Sequence, residues 1–129
     1  MPVMRLAAVL LLAAGLAAAG CARKPARPET PVEKGGRLFT EMGCNACHTL
    51  DGSPGAGPTL KGLYGSQVRL VGGQTVKADE AYLRESILEP DAQVVEGFSA
   101  GVMAAAVSRQ QVEKDGNLDA LVAYIKTIK

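Results

Sequence analysis

The sequence predicts an all-α domain, and three observations point there. The carboxy-terminal stretch LDALVAYIKTIK places Leu118, Leu121, Val122, Ile125 and Ile128 at helical spacing, an apolar stripe along one face. KADEAYLRESILEP reads as a helix from about Asp79 to Glu89, closed by Pro90 because proline cannot continue a helix. Strands do not alternate with helical segments as a parallel sheet requires.

The chain has 129 residues, room for one domain. Fourteen Lys and Arg face thirteen Asp and Glu, a formal charge of +1, so no polybasic footprint marks a nucleic-acid partner. Much of the 47% hydrophobic content lies in residues 6–20, LAAVLLLAAGLAAAG. With no Trp, two Phe and three Tyr, the domain has few large core side chains. A large internal cofactor would supply the missing apolar bulk.

Met1 to Arg5 form a short start with one positive charge, followed by the apolar run and small residues. That is the layout of an export signal, expected to cover residues 1–20. The run is short for a spanning helix, which needs about 20 apolar residues. Cys21, in AAAGC, resembles the lipobox cysteine of bacterial lipoproteins, which is lipidated and becomes the mature N-terminus. Cleavage after Ala19, or retention of the run as a short anchor, are the alternatives. All three place the rest of the chain outside the cytoplasmic membrane, facing the periplasm or the cell exterior. Residues 22–34, ARKPARPETPVEK, hold three prolines and read as a semi-extended linker. At about 3.1 Å per residue it reaches about 40 Å. The domain proper is then expected over residues 35–129.

Residues 44–48 read Cys-Asn-Ala-Cys-His, and His48 is the sole histidine. Cys-x-x-Cys-His is the attachment signal for c-type haem. Positions three apart share a helical face, so Cys44 and Cys47 can reach two vinyl groups of one porphyrin while His48 ligates the iron. A structural zinc site wants four Cys or His ligands, and only a returning Cys21 could complete one. A thioredoxin-like dithiol expects a βαβ setting, which is lacking.

From Gly35 onward the chain resembles class I cytochrome c. GGRLFTEMGCNACH matches that family's first helix, with Gly35 and Phe39 at its usual glycine and aromatic positions, and Tyr124 matches the aromatic of its last helix. The resemblance implies three main helices around one covalent haem, with the first and last crossing closely at Gly35. DGSPGAGPTLKGLYG is loop by its glycines and prolines, and matches the family's Gly-Pro-x-Leu-x-Gly at Gly57, Pro58, Leu60 and Gly62. A ligating histidine usually donates its other ring N–H to a carbonyl, and the resemblance assigns that carbonyl to Pro58. Tyr64 and Tyr82 are the expected haem-pocket aromatics. QVRLVGGQTV alternates around Gly72-Gly73 and reads as a small hairpin. Hairpin and following helix together are most similar to the cytochrome c domain fused to subunit II of some haem–copper oxidases. The chain lacks the further Cys and His ligands of a dinuclear copper centre, so here the module stands alone.

Of four methionines, Met1 and Met4 lie in the leader and Met42 is too near the motif to cross the porphyrin. Met103, far along the chain in GFSAGVMAAAV, is the expected sixth ligand. The family usually follows this methionine with proline; here Ala104 follows, and alanine's helix preference predicts a helical turn over Ala104–Ala106. With no nucleophile–base or paired-carboxylate constellation, the expected role is non-enzymatic: one-electron transfer in a respiratory chain, to or within a terminal oxidase or quinol-oxidising complex. The alternative is gas binding or peroxide turnover at a labile distal site.

Overall fold

The computed structural model describes residues 27–129; the leader and Cys21 lie outside the described residues. The first helix, α1, spans Pro31–Glu41. Thr30 caps it: its Oγ1 accepts the Glu33 N–H, and the Glu33 carboxylate accepts the Thr30 N–H at 2.9 Å. This reciprocal box satisfies two orphan donors of the first turn. Pro31 fits at the first helical position because its missing N–H has no helical partner there anyway. The domain thus starts before Gly35, and the expected linker loses its last four residues to helix. Pro31 opens a helix rather than continuing the spacer.

α1 crosses the last helix, α5 (Asn117–Ile125), at close range. A Cβ on Gly35 would lie 2.0 Å from the Ala120 carbonyl oxygen, so only glycine permits the approach. Phe39 and Tyr124 close the crossing with ring centroids 5.6 Å apart. Leu38 and Phe39 on one side and Ala120, Leu121, Val122 and Ile125 on the other are buried. Leu118 and Ile128, the ends of the apolar stripe, are half-buried against them.

The hairpin pairs β1 (Gln67–Arg69) with β2 (Thr75–Lys77), antiparallel, with Val68 opposite Val76. Gly72 and Gly73 turn it with φ of 94° and 87°, which side chains resist. The strand Gln67–Arg69 and the residues beyond it also hold the segment 94–96. Val71 N–H donates to Val94 O at 2.8 Å, Glu96 N–H to Arg69 O at 2.9 Å, and Leu70 bridges Val95.

Helix α2 spans Glu80–Leu88, capped by Asp79, whose carboxylate accepts the Tyr82 N–H at 2.9 Å. Arg84 ties it to α5 through Asp119 at 2.6 Å, and Lys126 reaches Glu80 at 2.9 Å. Two short helices follow, α3 (Val102–Ala106) and α4 (Arg109–Glu113). The first is the helical turn expected after Met103. The second was not anticipated, although Ser108 caps it by accepting the Gln111 N–H.

Candidate cofactor site

The core residues do not close on one another; they wall a cavity of about 660 Å³. That is within the range of cofactor sites, about 300–1,000 Å³. Phe39 of α1, Leu60, Val68 of β1, Leu83 and Ile87 of α2, Val112 of α4 and Leu121 of α5 line it. Nearly every element therefore contributes a wall, and the shortage of large aromatic side chains is met by a void.

The motif hangs on the cavity's rim. Gly43, at φ 75°, ends α1 and starts a single 3₁₀ turn, Cys44–Ala46. The His48 N–H donates to Cys44 O at 3.0 Å, so one tight turn presents Cys44, Cys47 and His48, all half-buried and all lining the cavity. Burial pushes the Cys44 thiol up. Redox dithiols need the opposite shift, toward thiolate. Among the described residues no cluster of three or more His, Cys, Asp or Glu is placed to hold a metal ion.

The imidazole is held from behind. His48 Nδ1 lies 2.7 Å from the Pro58 carbonyl oxygen. A carbonyl can only accept, so Nδ1 carries the proton and Nε2 keeps its lone pair free for a ligand bond. Gly57 lies flat against the ring: a Cβ there would sit 2.8 Å from Cε1. Gly55 passes closer still to the Cys47 carbonyl, 2.5 Å from a notional Cβ. Two backbone bonds pin the loop to the motif, Gly57 N–H to Cys47 O at 2.9 Å and Leu60 N–H to Thr49 O at 2.8 Å.

Met103 lines the same cavity from α3, half-buried. Met42 lines it as well, on the motif's own side of the chain. Tyr82 is buried in the wall, and burial pushes its phenol up. Tyr64, expected in the pocket, does not line the cavity. It is 37% exposed, with Lys126 Nζ 5.0 Å above its ring, while its neighbour Leu63 takes the cavity-facing place. Ser86 Oγ and Gln93 Oε1, both in the wall, are buried without a hydrogen-bond partner. No motif marks these two positions, and sequence reading missed them.

An apolar cavity, a tautomer-fixed imidazole, two thiols on one turn and two unpartnered polar atoms suit a flat, mostly apolar group with few polar substituents. Haem is such a group. The family model for cytochrome c matches residues 32–129. The chain belongs to the cytochrome c family. Relatives include cytochrome c2 iso-1 of Magnetospirillum molischianum, 32% identical over 67% of this chain and 90% of the relative. The corresponding protein of Magnetospirillum fulvum is 30% identical over 67% and 91%. Cytochrome c2 of Rhodoplanes tepidamans is 31% identical over 67% and 91%. This cytochrome c is a mono-haem, class I, all-α electron carrier with one covalent haem c, attached at the Cys44–Cys47 motif. The haem supplies a one-electron iron couple.

Proposed function

We propose that this cytochrome c is a membrane-tethered carrier of a respiratory chain whose iron is held between His48 and Met103. The observation that carries the reading is the position of Met103. It lies 55 residues after His48, on a separate helix, yet lines the same cavity. A methionine sixth ligand raises the potential and fills the site that a gas or peroxide would need. Pro58 orients the proximal imidazole, and Tyr82 belongs to the pocket wall.

The tether is the lipid on Cys21, where two acyl chains give stable anchoring and one alone does not. Among the described residues no helix is long and apolar enough to cross a membrane. The linker then confines the domain near the membrane at high effective concentration, where the partner is a terminal oxidase or a quinol-oxidising complex. The likeness to oxidase-fused cytochrome c domains supports that partner class, and the absence of a basic excess fits docking that needs no long-range steering.

The test is Met103→Ala against Met42→Leu in the haem-loaded protein. Met103→Ala is expected to lower the midpoint potential, admit carbon monoxide at neutral pH and leave haem attachment intact. Met42→Leu is expected to do none of this. Avid carbon monoxide binding by the wild type, or an unchanged spectrum and potential in Met103→Ala, would put gas or peroxide chemistry ahead of electron transfer.

A further inference from the structure

The segment 89–109, which carries Met103, is tied to α2 by the Gln93 amide on Glu85, and three further ties bear on Met103. At its base, Glu89 at the end of α2 pairs with Arg109 at the start of α4. In its first half, the segment 94–96 is bonded to β1 and the residues after it through Val71–Val94 and Glu96–Arg69. The third tie is internal: Asp91 Oδ1 accepts the Gly101 N–H at 2.7 Å. Gly101 is the residue on which α3 starts, in the left-handed conformation at φ 82°. Met103 follows two positions later, and Val107 N–H closes the helix on the Met103 carbonyl at 2.9 Å.

Nothing else fixes the approach to α3 so directly. Gly101 has no side chain to cap the helix, and Val102 is 53% exposed. Ala104, Ala105 and Ala106 are also exposed, so they add little packing to hold the turn. Ala104 stands where a proline would have stiffened the chain after Met103. A carboxylate bonded to the helix's entry residue supplies the restraint from the other end.

We infer that Asp91 is a positioning residue for the sixth iron ligand: its bond to Gly101 holds α3 so that the Met103 sulfur stays on the iron. The inference rests on Met103 as ligand, proposed above. A bond between an ionised group and a backbone N–H is stronger than a neutral one, and this one spans ten residues of loop. Losing it releases the sulfur more often without altering the motif, the proximal loop or the cavity wall.

The experiment uses the haem-loaded full chain with Asp91→Ala and Asp91→Asn. Two properties are read in the oxidised protein, the sulfur-to-iron charge-transfer band in the far red and the affinity for added cyanide. Asp91→Ala is expected to weaken the band and raise cyanide affinity about tenfold or more, the worth of a hydrogen bond to a charged group. Asp91→Asn, whose neutral amide oxygen still accepts but without the charge, is expected to fall between Asp91→Ala and wild type. Three results overturn the inference. An unchanged band and cyanide affinity in Asp91→Ala, with a lowered Tm alone, makes Asp91 merely structural. Equal loss in Asp91→Asn shows that the bond to Gly101 is not what matters. A wild type without the band, binding cyanide as Met103→Ala does, removes Met103 as ligand and the inference with it.

Discussion

The two sides of the cavity are built in different ways. On the motif side, backbone bonds link residues 47–60 to one another, Pro58 grips the imidazole, and Gly55 and Gly57 pack so closely that a single Cβ would collide. On the methionine side, a helix of five residues starts on a glycine, exposes its alanines and is located by one carboxylate, an ion pair at its base and the backbone bonds of 94–96 to the hairpin. One side is fixed by sterics, the other by tethers. The lesson concerns which side can yield. His48 cannot shift without breaking the loop that grips it, whereas Met103 sits on a short helix held by few contacts.

The largest expected effect tests the steric side. Gly57→Val drives a branched side chain into the His48 ring, and overpacking of this kind costs about 1–3 kcal/mol before the loss of ligand alignment is added. Covalent haem per chain, read by absorbance after denaturation, is expected to fall sharply. Ala105→Val, on the exposed face of α3, is expected to keep full attachment and stability within about 0.5 kcal/mol. If both variants behave alike, the contrast between the two sides fails.

A smaller effect concerns how partners meet the exposed side. From Lys34 to Lys129 there are ten basic residues against eleven acidic ones, and the run Ala104–Ala106 carries no charge. Electrostatically steered association falls steeply with ionic strength. The electron-transfer rate is therefore expected to change little between low and high salt, as stopped-flow measurements with the partner complex in membranes would show. A steep fall would mean a charged docking face that the composition hides.

The smallest effect lies farthest from both sides, at the start of α1. The Arg27 guanidinium, then the Thr30 backbone and hydroxyl, hold the Glu33 carboxyl down at about 2, against 4.5 for an ordinary glutamate. A depressed folded value means the stabilisation is present above the unfolded value and lost as pH falls through the folded one. The first turn of α1 should thus fray between pH 4.5 and about 2. Amide exchange of residues 31–35 should show it, and Glu33→Gln should abolish the pH dependence. Because Glu33 is exposed, the haem spectrum should not move in either protein.

What the sequence made legible follows the range of the physics involved. The attachment motif, the hairpin around Gly72-Gly73 and the helix between Asp79 and Pro90 are local, each written in a few adjacent residues. The contact of His48 with Pro58 was reached through the loop's likeness to its family. The start of α1 was missed although Thr30 and Glu33 spell a capping box, because the prolines and charges around them suggested a spacer. Ser108 and Gln111 carried the same signal for α4. Tyr64 failed for a different reason: whether a loop aromatic faces in or out is settled by the turn it sits on, and Leu63 won the inward place. Ser86, Gln93 and the Asp91–Gly101 bond had no local sign at all, since each depends on chain segments brought together by the fold.

The close crossing at Gly35 also joins two distant parts of the chain. Gly35 and Ala120 are 85 residues apart in sequence but in backbone contact in the fold. Closing a loop of that length costs entropy that the packing around the crossing must offset. The cofactor cavity lies within that loop, with Leu121 of α5 in its wall and Cys44 and Cys47 on its rim. A contact without a side chain is thus the clasp that keeps the last wall of the cavity in place.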